Sequence, residues 1–227
     1  MSSLEVVSFF SDRTVDFKLN ERSPELTFAQ RESLTRALGF LPESIAQIHQ
    51  VHGDRVLEAS QAFPIVQPIP DADALVTSTP GVALTVRTAD CLPVYIFDPV
   101  RRAIGLAHAG WRSTHLQIVV KTISLMQKNW GSSPTDMKVA FGPAIRSCCY
   151  EVGEEFEKNF PADVTARSGR KFFDVAAANR RQLRSAGVKD ENIADSMECT
   201  CCDKQFFSYR REAEKAGRHL SLLMIRN

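Results

Sequence analysis

Three short segments hold the residues of this chain best suited to chemistry. They are Gln50-Val51-His52-Gly53, Thr88-Ala89-Asp90-Cys91 and Ala107-His108-Ala109-Gly110-Trp111-Arg112. Together they supply two imidazoles and one thiol, in a chain with 5 His and 6 Cys. Two His and one Cys are three of the four donors of a tetrahedral zinc, with one position open to water or substrate. A metal held in that way polarises a substrate group or lowers the pKa of a bound water. Taken singly, each residue has a plainer reading. His108 lies between alanines and suits a buried structural histidine, while His52 precedes the turn-forming pair Gly53-Asp54. Cys91 precedes Leu92-Pro93 and suits a small buried apolar residue. No regular metal spacing joins the three, so spacing alone does not make them a site.

The elements that would position these residues read as strands. Val82 to Val86, Val94 to Phe97 and Ala103 to Ala107 are apolar runs bounded by Gly, Pro or charge, as in strands buried on both faces. The first feeds Asp90-Cys91 and the third ends in His108. A strand is expected to begin within Asp71 to Thr77, with others at Lys138 to Phe141 and Leu220 to Ile225. Helical spacing predicts one helix capped by Ser113 or Thr114 and running to about Asn129, with Gly131 as its stop. Further helices are expected over Glu154 to Asn159 and Val175 to Ala186. Gln61 to Pro70, with Pro64, Pro68 and Pro70, reads as a loop. The central strands lie too close together for a helix between each pair. The expected class is therefore α+β (mixed α/β) with a mixed central sheet, rather than a regular doubly wound one. No stretch reads as a linker, so residues 1–227 are expected to form one catalytic domain.

Composition narrows the partners. The net charge is +1, and no basic run exceeds the pairs Arg101-Arg102 and Arg210-Arg211, which argues against a nucleic-acid partner. No apolar run approaches a membrane span, and Met1 to Glu5 lacks the basic start of a signal peptide. A cytoplasmic location with reduced cysteines is expected. Oligomeric state is not legible.

The blocks QVHGDRV, DADALVTSTPGVALTVRTADCLPVYIFDP, GLAHAGWR, FGPAIRSCCYEVG and FFSYRRE resemble the YfiH family, long labelled laccase-domain or polyphenol oxidase proteins. The resemblance runs from Gln47 to Arg211. It implies a fold related to the catalytic domain of cytotoxic necrotizing factor. It also implies a metal site on His52, Cys91 and His108, holding zinc, with copper possible at the same ligands. The implied activity is phosphorolysis of purine nucleosides (adenosine, inosine, methylthioadenosine), with adenosine deamination beside it. Some members edit peptidoglycan precursors. Two departures stand out. The family's Gly-Gly-Val-Ser loop is absent after Ser11-Asp12-Arg13, and HAGWR continues with Ser113 instead of Gly.

The laccase label fails on counting. A multicopper oxidase needs a His₂Cys copper site and a further cluster with roughly eight more imidazoles, whereas this chain has only His49, His52, His108, His115 and His219. Arg112 is the leading phosphate ligand, because a guanidinium grips oxyanions bidentately; Arg210 and Arg211 come second. Asp73 and Asp90, in the matched blocks, are candidates for general acid/base work or for orienting a ligating histidine. Cys91 and His108 also fit a metal-free cysteine hydrolase, with the thiol as nucleophile and the imidazole as base. A binding protein that keeps the fold without catalysis is the remaining alternative. Cys148-Cys149 and Cys199-Thr200-Cys201-Cys202 read as structural thiols, because adjacent cysteines rarely share a zinc.

Overall fold

The computed structural model describes residues 5–18, 26–39, 44–59 and 69–226. The first half runs β1 (Val6–Phe10), α1 (Phe28–Leu38), β2 (Ser44–Ala46), β3 (Val56–Glu58), β4 (Ala74–Thr77), β5 (Val82–Thr88), β6 (Leu92–Asp98), β7 (Ala103–Ala109), α2 (Trp111–His115) and α3 (Ile118–Trp130). The second half runs β8 (Lys138–Phe141), β9 (Glu151–Val152), α4 (Glu155–Asn159), β10 (Val164–Arg167), β11 (Arg170–Phe173), α5 (Val175–Ser185), β12 (Ile193–Asp195), α6 (Tyr209–Glu212) and β13 (His219–Ile225).

Two mixed sheets carry the molecule. The larger has the order β12-β8-β6-β7-β4-β3, parallel at both edges and antiparallel between them. The smaller has the order β1-β13-β5-β2. A separate ribbon joins β10, β11 and β9. The mixed α/β class expected from the sequence is the class observed, with two mixed sheets in place of one.

Alternation of side chains along the strands explains the layering. On β4 and β7, Ala74, Val76 and Ala107 pack with Ile118, Ile123 and Met126 of α3 and Leu183 of α5. Leu75, Ile104 and Leu106 point the other way, against Val82, Leu84 and Val86 of β5. The far face of the smaller sheet, with Ala83, Leu222 and Met224, is covered by Leu34 of α1. The order is thus helix, sheet, sheet, helix. β5, β6 and β7 are buried nearly throughout, as expected for strands covered on both faces.

One expectation needs correction. The helix after HAGW is two helices: α2 starts at Trp111, and the chain breaks at Gln117, whose φ of 62° is left-handed, before α3 starts. The break lets α3 lie against β7 so closely that a methyl group on Gly105 would sit 2.9 Å from Thr122 Cγ2. The expected loop Gln61 to Pro70 falls largely outside the described residues.

One core group ties stability to pH. His219 is fully buried and stacks on Phe10 at 4.8 Å. Its Nε2 accepts from Phe207 N at 2.7 Å, which leaves Nδ1 to donate to Ser11 O at 2.7 Å. The ring is therefore neutral, and burial lowers its pKa from the usual 6.5. The unfolded chain takes up the proton first. Stability is full above about pH 6.5 and falls as pH drops toward the folded value. Thermal denaturation should show a midpoint that declines as the pH is lowered from about 7 to about 5. A His219→Gln variant should be less stable at neutral pH and flatter across that range.

Candidate metal centre

His108 occupies the next-to-last position of β7, buried between the larger sheet and α2. Cys91 follows the corner Ala89-Asp90, where the chain leaves β5 in one sheet and enters β6 in the other. Asp90 makes that corner with a φ of 84°. His52 sits in the loop before β3 with a φ of 57°. The donor atoms of His52, Cys91 and His108 all lie within 4.8 Å of one another, and the two imidazole centroids are 4.8 Å apart.

Asp73 organises both histidines. Its buried carboxylate accepts from His108 Nδ1 at 2.8 Å and from His52 N at 3.0 Å on one oxygen. The other oxygen accepts from Gly53 N at 2.6 Å and Val51 N at 3.3 Å. The His108 bond leaves Nε2 as that ring's free donor atom, the arrangement typical of ligating histidines. Burial pushes the Asp73 carboxyl up, but the His108 bond and charge, with the backbone donors, hold it below the usual carboxylate value. Burial also pushes the Cys91 thiol up; the imidazoles of His108 and His52 outweigh it and bring the thiol down to about 6. The Cys91 thiolate and Asp73 likewise overcome burial at His108 and raise it to about 9. The thiol is thus poised as a thiolate at neutral pH, the form that binds metal.

Gly110 makes the convergence sterically possible. A Cβ there would lie 2.9 Å from His52 Nδ1 and 3.1 Å from Cys91 Sγ. Gly110→Ala should lower metal affinity by about 10-fold or more, a loss comparable to that of a supporting residue. Equilibrium competition with a chromophoric chelator would measure it.

The centre opens into a cavity of about 640 Å³ lined by His52, Cys91, His108, Trp111, Arg112 and Tyr150, among others. Arg112 lies in it with its guanidinium 4.4 Å from the Trp111 ring, and it has no ion-pair partner among the described residues. Arg210 also lines it, donating to Glu151 O at 2.9 Å and lying 5.3 Å from the Tyr150 ring. Arg211 is placed differently. Its guanidinium donates to the carbonyls of Thr200, Cys201 and Phe206 and pairs with Glu212 at 2.7 Å, clamping that loop. Asp90 borders the cavity, but its carboxylate is taken up by Thr200 Oγ1 at 2.6 Å, Arg210 N at 2.6 Å and Ser208 Oγ at 3.1 Å. Those bonds fasten the Cys91 corner to the segment before α6.

Sequence reasoning missed Arg87. This residue of β5 also lines the cavity and is only 8% exposed. Gln47 accepts from one of its terminal nitrogens, its Nε has no partner among the described residues, and burial lowers its pKa to about 10. The signal was present as one arginine inside the otherwise uncharged run Val82 to Thr88. Lys18 and Arg218 add two more cations to the same walls, against the carboxylate of Glu214.

Residues 16–226 match the family model described as multi-copper polyphenol oxidoreductase laccase. The chain belongs to this family. It is 40% identical to a purine nucleoside phosphorylase of Deinococcus radiodurans, over 88% of this chain and 78% of that protein. It is 33% identical to one of Borreliella burgdorferi, over 94% of this chain and 96% of that one. Among solved structures it superposes on YlmD of Geobacillus stearothermophilus with a TM-score of 0.85 and 30% identity, covering 98% and 92% of the two chains. YfiH of Bacillus licheniformis gives a TM-score of 0.85 at 28% identity, covering 97% and 93%. The YfiH resemblance read from the sequence is therefore correct.

The five imidazoles bear on the laccase name of the family. His219 is walled in by Phe10, Phe206 and Phe207; His49 bonds Asp71 at 2.8 Å; His115 packs on Phe160. Among the described residues, His52 and His108 are the imidazoles that share a group of donors able to hold a metal. No helix among the described residues is long and apolar enough to cross a membrane.

Proposed function

We propose that the chain is a zinc-dependent purine nucleoside phosphorylase, splitting a nucleoside with inorganic phosphate into free purine and ribose 1-phosphate. The observation that carries this reading is the shared cavity: a His-Cys-His donor group beside two aromatic rings, Trp111 and Tyr150, and several cations. The relatives named purine nucleoside phosphorylase support the same reading. Residues 1–227 are read as one catalytic domain acting in the cytoplasm on small molecules.

The donor set fits the metal. One thiolate and two imidazoles suit zinc and leave a position open, the metal taking the place of the proton that the Cys91 thiolate and Asp73 otherwise hold on His108, although copper competes for such ligands. When bound, the metal supplies Lewis-acid stabilisation of negative charge on a substrate oxygen. The chain's own residues do the rest. Asp73 fixes the His108 ring, and Arg112, Arg210 and the buried Arg87 hold phosphate oxygens by charge-assisted hydrogen bonds. A phosphate oxygen attacks the anomeric carbon, the C–N bond breaks, and its electron pair leaves with the purine, which gains a proton. Burial, with the Cys91 thiolate close by, keeps the Tyr150 phenol protonated as a donor facing the cavity. Trp111 and Tyr150 offer apolar rings to the base. Arg211 and Asp90 are assigned to support of the site, since their polar atoms are already engaged.

The Cys91–His108–Asp73 chain of contacts favours a second reading, a metal-free cysteine hydrolase or amidase. One assay set separates the readings: adenosine, inosine and methylthioadenosine, with and without phosphate, before and after chelation. Phosphate-dependent release of free base that chelation abolishes is the expected result. Inosine formed from adenosine would reveal deamination. Inactivation by iodoacetamide in protein depleted of metal would favour the hydrolase, and no turnover in metal-replete protein would leave a binding protein.

A further inference from the structure

Four cysteines outside the site just described converge on one point. Cys148 and Cys149 lie in the turn after β8, and Cys199 and Cys202 in the loop after β12. Their four sulfurs all lie within 4.8 Å of one another, with Cys149 Sγ 3.2 Å and Cys148 Sγ 3.5 Å from Cys202 Sγ. A tetrahedral zinc with Zn–S bonds of about 2.3 Å holds its sulfurs about 3.8 Å apart. A disulfide needs about 2.05 Å, and all four thiols are free. The group therefore has the spread of a metal cage. The sixth cysteine, Cys201, is outside it. The pair inside it from that loop is Cys199 and Cys202, which is C-x-x-C spacing, so the irregular C-x-C-C run hides a regular one.

The backbone supports the same conclusion. The main chain at Cys201, Cys202 and Arg146 lies close around the Cys199 sulfur. Asp203 N closes the turn on Cys199 O at 3.0 Å. Amides placed around the first sulfur of a C-x-x-C turn suit an acceptor that carries negative charge, as a metal-bound sulfur does.

We propose that Cys148, Cys149, Cys199 and Cys202 bind a second metal ion, a structural zinc, that ties the turn carrying Tyr150 to the loop held by Asp90 and Arg211. The two segments already touch through Thr200 N to Ala144 O at 3.1 Å. The ion adds a cross-link over about 50 residues of chain, and because the unfolded chain has no preformed cage its binding free energy adds to the stability of the fold.

The test is zinc content and zinc–sulfur coordination of the full chain, purified without chelators. The wild type should hold two zinc per chain, averaging about two to three sulfurs per zinc by X-ray absorption, because one site has four sulfurs and the other one. Cys91→Ala should retain one zinc in an all-sulfur shell. A Cys199→Ser/Cys202→Ser double variant should retain one zinc with a single sulfur. One zinc with a single sulfur in the wild type overturns the proposal, as does a Cys91→Ala protein without zinc. An intact mass short of two hydrogens, marking a disulfide within the group, also overturns it. If the double variant does not fold, the wild type and Cys91→Ala decide the matter. Failure of the His-Cys-His site would look different: the wild type would hold one zinc with four sulfurs, unchanged by Cys91→Ala.

Discussion

Replacing Cys91 with alanine should remove one equivalent of metal per chain and cut phosphorolysis by about 10³-fold or more. The magnitude follows from the several kcal/mol of charge stabilisation that a bound metal contributes, at about 1.4 kcal/mol per tenfold in rate. The thiol is the only anionic donor in the group, so its loss leaves two neutral imidazoles to hold a dication. The fold should persist, because Cys91 is a half-buried residue at a corner that Asp90 fastens through three hydrogen bonds. Metal analysis paired with adenosine turnover checks both parts. Unchanged metal content together with unchanged turnover would sink the assignment.

The second large effect belongs to Asp73. Asp73→Asn should weaken metal binding by about 10- to 100-fold, the usual loss when the partner of a ligating histidine is removed. It should also cost about 2–4 kcal/mol of stability, because a buried carboxylate bonded to four donors becomes a poorly matched amide. Both oxygens of Asp73 face N–H groups. An asparagine must therefore turn its own NH₂ toward one set of donors. Against the loop amides it repels the His52 loop. Against His108 it forces the proton from Nδ1 to Nε2 and blocks the free donor atom. Metal titration by competition, with chemical denaturation alongside, reads the two losses separately. An Asp73→Asn protein that bound metal like the wild type would show that the carboxylate orients neither histidine.

The parts of the fold that were legible in the sequence are those whose burial is extreme. β5, β6 and β7 are covered on both faces, so they appear as uninterrupted apolar runs bounded by turns. The N-terminal elements were not legible because their patterns are weak. α1 buries only Gln30 and Leu34, although Thr27 and Gln30 form a capping box that marks its start. β2 and β3 are three residues each, too short for a period to show. The break at Gln117 has no sequence mark, since a left-handed glutamine there is imposed by how α3 packs.

At the site, motif blocks brought out His52, Cys91 and His108, yet nothing in them distinguishes Asp73 from Asp90. That difference is tertiary: one carboxylate meets an imidazole, while the other meets Thr200, Ser208 and the Arg210 amide, more than 100 residues away. Arg87 lies just past the apolar run Val82 to Val86, and only the structure extends β5 through it to Thr88 and places its side chain on the cavity.

The order β1-β13-β5-β2 has a consequence for how the chain is made. β1 leaves the ribosome early, and its hydrogen-bonding partner is β13, whose first residue comes 209 positions after Phe10. At about 5–20 residues per second, β1 waits on the order of 10–40 s, and one side of β5 about 7–26 s, with unpaired edges. Such edges recruit other strands when left open. The nascent chain therefore passes through an adhesive interval that ends only when β13 slots between them. A chaperone that covers these edges, or faster translation, shortens that exposure without changing the finished sheet.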